Sequence, residues 1–320
     1  MSKRRKRRSS RKGETGVLSF KQVCLALALV ALLALGITFG DRVGLPTWTE
    51  LFNPSPASSY TVAEGTLQVH WLDVGQADAI LIQAPEKTVL IDSGDVGMGE
   101  DTYQQLMKFG VEKIDLWIGT HAHADHIGGI QYIMERLPVE EIILSDLPDS
   151  LVPTTKVYMG MLEEIEKQGK TITPARAGDT YDLGGGAVLT ILGPIRDYDN
   201  LNDTSVMSRL DFGETSFLFS GDAETPVEED LLKTGGNFQA DVLDVAHHGS
   251  DTSSSMEWLQ AVDPQYGVIS VGTGNSYGHP SSQTLQRLDS LGIQVYRTDL
   301  NGMVTATSDG KTVSMATENS

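Results

Sequence analysis

The amino-acid sequence predicts an α/β (α+β) domain with four layers, an αββα sandwich of two β-sheets between outer helices, preceded by one N-terminal transmembrane helix. Two groups of short apolar strand patterns occur within residues 66–320, and helical patterns are interleaved with both groups. An uncharged run of nineteen residues, 22–40, follows a block of basic side chains. Between these parts, residues 41–65 contain three prolines and little periodicity, which is typical of a linker.

The first element is a basic head, and its charge contrasts with that of the rest of the chain. The 320 residues carry a formal charge of −19, with 43 acidic and 24 basic side chains. Residues 1–21 hold nine of the basic side chains and one acidic one, whereas residues 22–320 hold 15 basic and 42 acidic ones. So acidic a domain does not favour tight, nonspecific binding of duplex DNA. The one cysteine excludes a disulfide scaffold and a cysteine-rich zinc site.

The second element is the uncharged run at residues 22–40. At about 1.5 Å per helical residue, this run just spans a hydrocarbon core of about 30 Å. We interpret it as a retained signal-anchor, with a cleaved signal peptide and a buried core helix as the alternatives, because it is long for a signal-peptide core and no A-x-A motif stands directly before Asp41. The positive-inside rule then predicts a single-pass protein of the cell membrane, with residues 1–21 in the cytoplasm and the domain outside.

The remaining elements belong to the globular domain, residues 66–320, which shows no internal repeat. In its first half, strands are predicted at residues 66–74, 78–84, 87–94 and 114–120, and helices at 102–109, 127–136 and 155–168. In its second half, strands are predicted at 187–193, 206–213, 215–222, 240–246 and 266–272, and around Val295, Val304 and Val313. The helices of this half are predicted at 224–233, at 254–262 and after Pro280.

Metal-ligating residue types are concentrated directly after one predicted strand. The segment HAHADH supplies His121, His123, Asp125 and His126, and two glycines follow it. Residues two apart at a strand end point to the same side, so His121 and His123 can share one cation. The turn into the next helix brings Asp125 and His126 beside a second position. Imidazole and carboxylate are ligands of zinc, manganese and iron, so this segment predicts a two-metal site.

Further candidate ligands follow later strands. Asp222 ends an apolar strand within SGD, where an inward carboxylate would otherwise be costly, and it is predicted to bridge the two metals. His247 and His248 end another strand, and His279 stands at a helix start, where capping that helix is the alternative role. His70 lies inside a plain strand pattern and is predicted to be an ordinary sheet residue.

These residues resemble the metallo-β-lactamase-fold hydrolases, and more specifically the C-terminal hydrolase domain of ComEC-type competence proteins. The resemblance covers residues 66–320. It rests on DVGQADA at 73–79, LIDSG at 90–94, HAHADHIGG at 121–129, NDTS at 202–205, SGDAE at 220–224, HHGSDTS at 247–253 and NSYGHPS at 275–281.

The resemblance implies a ligand set. His121 and His123 would hold one metal, and Asp125 and His126 the other, with Asp222 between them. Many enzymes of the fold complete the first metal with one more histidine, but residues 127–246 contain none. The matching position is Asn202, a weaker ligand, which is predicted to contact the metal or the substrate.

The roles of the late histidines stay open. We predict His247 as a metal ligand, and His248 and His279 near the substrate as catalytic residues together with Asp125. The alternatives are that His279 completes the second metal while His247 or His248 acts as general acid, or that these histidine roles are exchanged. Three other polar residues are predicted to support the ligands from behind, and Asp92 among them is predicted to orient a ligand histidine through a hydrogen bond. The three supporting residues are Asp73, Gln76 and Asp92.

The chemistry that this set implies is hydrolysis assisted by two divalent cations, zinc or manganese. Such ions lower the pKa of a shared water toward about 7 and stabilise developing oxyanion charge. The predicted function is a membrane-anchored phosphodiesterase or nuclease that acts on single-stranded nucleic acid or a small phosphodiester. The alternatives are a small-molecule hydrolase for a lactam, lactone or nucleotide, and a degenerate metal-binding regulatory module. The acidic charge indicates that the metals, rather than a basic surface, hold the anionic substrate.

Overall fold

The computed structural model describes residues 62–319. Three predicted segments lie wholly or mostly outside the described residues. They are the basic head (1–21), the signal-anchor (22–40) and the linker (41–65), of which only residues 62–65 are described. Within residues 62–319, none of the helices has both the length and the apolar composition that a membrane crossing requires.

The described strands form two mixed sheets. The strands are β1 (Leu67–Trp71), β2 (Ala79–Gln83), β3 (Thr88–Asp92), β4 (Ile114–Gly119), β5 (Val139–Leu144), β6 (Ile172–Pro174), β7 (Thr180–Gly184), β8 (Ala187–Ile191), β9 (Ser208–Phe212), β10 (Thr215–Phe219), β11 (Val242–Asp244), β12 (Tyr266–Ile269), β13 (Gln294–Arg297), β14 (Val304–Ser308) and β15 (Val313–Thr317). Eight of them pair in the order β15-β14-β1-β2-β3-β4-β5-β6, and seven in the order β13-β12-β11-β10-β9-β8-β7.

Helices connect these strands. They are α1 (Gly99–Lys108), α2 (Ala124–Ile127), α3 (Ile130–Met134), α4 (Lys156–Lys167), α5 (Thr225–Thr234), α6 (Met256–Val262), α7 (Ser282–Ser290) and α8 (Thr298–Asn301). Hydroxyl side chains cap three of them, because a backbone N–H in the first turn donates to Thr155 before α4, to Ser255 before α6 and to Ser281 before α7. Two short 3-10 turns, Asn202–Thr204 and His247–Gly249, carry polar residues of the site.

The described residues form three hydrophobic clusters, which lie between the four layers of helices and sheets. One lies between the sheets and joins side chains of both, such as Trp71 and Phe217. A second packs α1, α3 and α4 on the eight-stranded sheet, with Leu106 buried there. A third packs α5, α6 and α7 on the seven-stranded sheet, with Trp258 fully buried. The predicted αββα sandwich is therefore confirmed.

The structure departs from the predicted elements in several places. Strands β5, β6 and β7 were not predicted, since exposed Glu140 and Glu141 interrupt the apolar pattern of β5 and β6 has three residues. The four-residue helix α8 was not predicted either. The predicted helix at 127–136 is two short helices, α2 and α3, with Gly128 and Gly129 between them. A side chain at Gly129 would collide with the carbonyl oxygen of Ser93, so this close approach of two chain segments requires glycine.

Candidate metal centre

Polar residues that follow apolar strands meet at one edge of the sandwich. Strands β3 and β4 are parallel, and so are β10, β11 and β12. The carboxyl ends of parallel strands lie on the same side of a sheet. Asp92 ends β3, His121 follows β4, Asp222 follows β10, and His248 follows β11. The apolar strands thus bring residues that are far apart in the chain to one site.

The first group of ligand atoms comes from His121, His123 and Asp222, and all of them lie within 4.8 Å of one another. His121 Nε2 lies 2.9 Å from His123 Nδ1 and 3.6 Å from Asp222 Oδ2. His121 and Asp222 are buried and His123 is half-buried, so this position opens to solvent on the His123 side.

The second group consists of Asp125, His126 and His248, again within 4.8 Å of one another. His248 Nε2 lies 3.5 Å from Asp125 Oδ2. Asp222 joins the two groups, because its Oδ2 faces His121 and its Oδ1 lies 3.3 Å from His126 Nε2. One carboxylate therefore lies between two sets of ligand atoms.

Three buried polar atoms in these groups form no hydrogen bond of normal geometry with the described residues, namely His126 Nε2, His248 Nε2 and Asp222 Oδ1. His126 Nε2 and Asp222 Oδ1 face each other at 3.3 Å without forming one. Leaving such atoms unpaired in the interior is costly, and native proteins rarely do so without an ion, a water or a ligand. Imidazole nitrogens that converge on a carboxylate oxygen are a donor set suited to a divalent transition metal. The residues therefore fit the two cations that the sequence predicts.

The structure places His248, rather than His247, beside Asp125 and His126. His247 lies on the other side, with its Nε2 3.6 Å from Asp222 Oδ2 and 3.4 Å from Asn202 Nδ2. Both histidines have positive φ, 54° and 51°, which non-glycine residues rarely adopt. This turn separates the two imidazole centroids by 6.3 Å and points the rings at different neighbours. The alternative with the histidine roles exchanged fits this geometry.

Asp92 lies where the sequence predicts it, behind a ligand histidine. Its Oδ2 is 2.8 Å from His126 Nδ1 and accepts a hydrogen bond from the Thr120 hydroxyl at 2.7 Å. Its Oδ1 accepts a hydrogen bond from the backbone N–H of Thr120 at 2.8 Å. A carboxylate on the far ring nitrogen keeps Nε2 directed at the site.

Asp78 is a supporting residue that is not among the site residues predicted from the sequence. It is buried, with Oδ2 3.7 Å from His126 Nδ1 and Oδ1 3.5 Å from His248 Nδ1. The available signal is its position directly before β2, a strand buried at every residue, where a carboxylate needs a partner. Asp78 thus stands behind two histidines of the second group.

Of the other two predicted supporting residues, only one reaches the pocket of the site. Asp73 is exposed and closes its own turn, its Oδ1 accepting from Gly75 N at 3.4 Å, so the structure does not bring it to the ligands. Gln76 lines the pocket, and its Oε1 accepts a hydrogen bond from Gly272 N at 3.0 Å. Gln76 therefore connects the segment before β2 to the segment that follows β12.

The comparison with known families decides the identity of this fold. Residues 72–273 match the metallo-beta-lactamase superfamily. The chain belongs to the metallo-beta-lactamase superfamily. With the two groups of metal-binding residues in place, it has the fold and the site of a metal-dependent hydrolase of that superfamily.

Individual relatives agree with this placement. The chain is 29% identical over 255 residues to ComE operon protein 3 of Bacillus subtilis (strain 168), covering 74% of this chain and 32% of that protein. It is 31% identical over 284 residues to competence protein ComA of Neisseria gonorrhoeae, covering 87% of this chain and 38% of that protein. The chain thus spans less than two fifths of either relative. The resemblance to ComEC-type hydrolase domains is confirmed.

A solved structure shares the fold. CmlA, a diiron beta-hydroxylase from Streptomyces venezuelae, superposes with a TM-score of 0.51 at 16% identity, covering 78% of this chain and 54% of that chain. At this identity the similarity concerns the fold alone.

Asn202, which the resemblance predicts to contact the metal or the substrate, lines the pocket of the site. Its Nδ2 lies 3.4 Å from both Glu224 Oε1 and His247 Nε2, which accounts for the amide's donor side. Its Oδ1 is buried without a hydrogen-bond partner. With this orientation of the amide, the oxygen remains available to a cation of the first group or to a substrate.

In the candidate metal centre, burial and the charges of neighbouring side chains have opposite effects on the pKa values of His126 and Asp222. Burial lowers the pKa of His121 well below its ordinary value. Burial also opposes protonation of His126, but Asp222 and Asp92 outweigh it and raise the pKa of His126 well above the ordinary value. Burial disfavours the Asp222 carboxylate, yet its attraction to the surrounding histidines, to His126 above all, holds the pKa of Asp222 well below the ordinary value. Positive charge at this position therefore stabilises an ionised Asp222.

The site opens into a pocket of about 290 Å³. Among the described residues, no lysine or arginine lines it. Its lining consists of Gln76, His123, Ala124, Asp125, Asn202, Asp222, His247, His248, Tyr277 and His279. An anionic substrate in this pocket would meet imidazoles and bound cations rather than a basic surface.

Proposed function

We propose that this chain is a metal-dependent phosphodiesterase that hydrolyses single-stranded nucleic acid. The observation that carries the proposal is the position of Asp222, which turns one carboxylate oxygen toward His121 and the other toward His126. This is the arrangement that a pair of cations on one phosphodiester needs. The resemblance to ComEC-type hydrolase domains, and relatives whose names refer to competence, support a nucleic-acid substrate.

The ligand roles follow from the two groups of atoms. We assign His121, His123 and Asn202 to one cation, with Asp222 shared between the two cations. Asp125, His126 and His248 belong to the other. Zinc or manganese, when bound, would supply a nucleophile from water near neutral pH and stabilise negative charge on the phosphoryl oxygens.

We propose that His279 protonates the leaving oxygen. His247 is held by neighbours, with Nδ1 3.4 Å from Glu224 Oε1 and 3.3 Å from Thr252 Oγ1. His279 is half-buried in the pocket wall, its ring lies 5.7 Å from that of His247, and its buried Nδ1 has no hydrogen-bond partner among the described residues. A pocket-lining imidazole that neighbouring side chains do not hold in place is available for general acid catalysis.

The direct test is hydrolysis by the purified protein with added Mn²⁺ or Zn²⁺, on single-stranded DNA, bis(p-nitrophenyl) phosphate and a chromogenic lactam. We expect turnover of the DNA and the phosphodiester. His123→Ala and Asp125→Ala should each abolish it and reduce the metal bound per chain, measured by mass spectrometry. Glu257→Gln, an exposed position outside the pocket, serves as the control.

The outcomes separate the candidate functions. Full activity in the presence of a chelator would contradict the two-metal assignment. Turnover of the lactam but of neither phosphodiester would favour a small-molecule hydrolase, for which a pocket of about 290 Å³ is large enough. Bound metal with no turnover of any substrate would favour a regulatory module.

We further propose that residues 22–40 anchor the protein in the cell membrane with the hydrolase domain outside the cytoplasm. The uncharged run and the basic residues before it support this orientation. Protease added to intact cells should then remove the domain, as followed by immunoblotting. Protection of the domain until the cells are lysed would overturn the orientation.

A further inference from the structure

Tyr277 presents an exposed aromatic ring at the mouth of the proposed active site. At 70% exposure it is the most exposed large hydrophobic side chain of the described residues. It lines the same pocket as Asp125, His248 and His279. Its ring is almost parallel to that of His279, with an interplanar angle of 10° and centroids 5.8 Å apart. The pocket wall therefore carries a flat aromatic surface next to the proposed proton donor.

The loop that carries Tyr277 is held in place by the side chain of Asn275. Asn275 Oδ1 accepts hydrogen bonds from the backbone N–H of Tyr277 and of His279, both at 3.1 Å. Its Nδ2 donates to the carbonyl oxygens of Gly272 and His279 at 3.1 and 2.7 Å. Gln76 fixes the start of the loop through Gly272 N. The exposed ring is therefore presented by a fixed loop, which lowers the entropic cost of binding a partner.

We propose that Tyr277 stacks on an unpaired nucleobase next to the phosphodiester that is cleaved. This inference rests on the proposed function and adds a binding subsite to it. Aromatic side chains stack on bases of any sequence, whereas a base inside a duplex is already stacked on both faces. Because the pocket lining contains no lysine or arginine, stacking supplies affinity that a basic groove would otherwise supply. The ring of Tyr277 would therefore bind single strands and frayed ends more tightly than duplexes.

The test compares an intact single-stranded oligonucleotide with one that is abasic at every position, using wild type, Tyr277→Ala and Tyr277→Phe. On the intact strand, Tyr277→Ala should lower kcat/KM by about 5- to 150-fold, and Tyr277→Phe should stay within about twofold of wild type, because it keeps the ring. On the abasic strand, wild type and Tyr277→Ala should differ by less than about twofold. Met159→Ala removes an exposed side chain outside the pocket and is the matched control.

A second measurement separates the subsite from the proposed function. Fluorescence anisotropy of a labelled strand reports binding without turnover, and Tyr277→Ala should weaken binding of the intact strand alone. If wild type binds the strand through Tyr277 but hydrolyses no phosphodiester, the subsite stands and the phosphodiesterase proposal fails. Equal losses on intact and abasic strands would show a structural role and overturn the stacking. Unchanged binding of the strand in Tyr277→Ala, with Tyr277-dependent binding to lipid vesicles, would overturn it in favour of a membrane contact.

Discussion

Two buried histidines of this chain show how their neighbours separate a structural imidazole from a ligand. His70 has both ring nitrogens in contact with protein, Nδ1 2.9 Å from Thr305 Oγ1 and Nε2 3.1 Å from Gln83 Oε1, and its ring stacks on Phe109. His126 has Asp92 on one nitrogen, and its other nitrogen has no hydrogen-bond partner. The same residue type is thus a sheet component in one case and a candidate ligand in the other.

The environment of His70 predicts an acid-dependent loss of stability. Burial lowers the pKa of His70 to about 4, with the Gln83 hydrogen bond acting in the opposite direction. Since an unfolded histidine has a pKa of about 6.5, the unfolded chain binds this proton more readily, and the free energy of unfolding falls by about 1.4 kcal/mol per unit as the pH drops from about 6.5 to about 4. The contribution of His70 is fully present above about pH 6.5.

His70→Gln removes this titration and keeps a polar side chain. Urea unfolding of both proteins with chelator, between pH 7 and pH 4, should show the wild type losing about 3 kcal/mol more than the variant. The chelator keeps metal release out of the comparison. Parallel pH profiles for the two proteins would contradict the assignment.

The ligand residues differ in how far the sequence could predict them. The members of HAHADH follow one apolar strand, so their proximity is a local matter that spacing reveals. The position of His248 depends on the left-handed turn at residues 247–248, and that of Asp78 depends on how β2 sits against its neighbours. Neither the turn nor this packing is encoded in a short periodic pattern, so one role stayed open and the other was missed.

At the scale of elements, two helices hold the segment that follows His248. Glu228 on α5 accepts hydrogen bonds from the backbone N–H groups of Ser254 and Ser255. Arg287 on α7 donates to the carbonyl oxygens of Ser253 and Ser254 at 3.0 and 3.2 Å. Glu228 is almost fully buried, and burial raises its pKa despite these hydrogen bonds. The carboxylate is retained in the interior because it accepts from two amides that would otherwise lack partners.

We therefore expect Glu228→Ala to loosen this segment. One buried and one partly buried N–H group would lose their acceptor, and the free energy of unfolding should fall by about 2–4 kcal/mol in urea unfolding. Hydrogen exchange at Ser254 and Ser255 should accelerate more than exchange in β10. Glu229→Ala, on the exposed side of the same helix, is the matched control and should change the free energy by less than about 0.5 kcal/mol. Equal effects of the two substitutions would refute the anchoring role.

At the scale of the whole molecule, the sequence predicts that there are two sheets, but it does not predict which strands belong to each sheet. The central strands of the sheets have continuous apolar runs, as in β2, which is buried at every residue. Edge strands lack this signal, and β7 alternates exposed residues with buried or partly buried ones. The four-layer arrangement follows from the buried strands, whereas the edges depend on pairing that a single strand does not reveal.

The charge distribution of the molecule predicts how substrate binding responds to salt. Residues 22–320 carry 42 acidic and 15 basic side chains, and the pocket lining contains no lysine or arginine. On a single strand, a protein that neutralises six to ten phosphates with basic side chains has a log–log salt slope of roughly −4 to −7. Here the cations would contact one or two phosphates and the Tyr277 ring would contact a base. We therefore expect a slope of about −0.7 to −1.4 for a single-stranded oligonucleotide, measured by anisotropy at 50–300 mM KCl, and loss of binding in chelator. A steep slope that persists without metal would place the strand on a basic surface elsewhere and contradict the metal-held substrate.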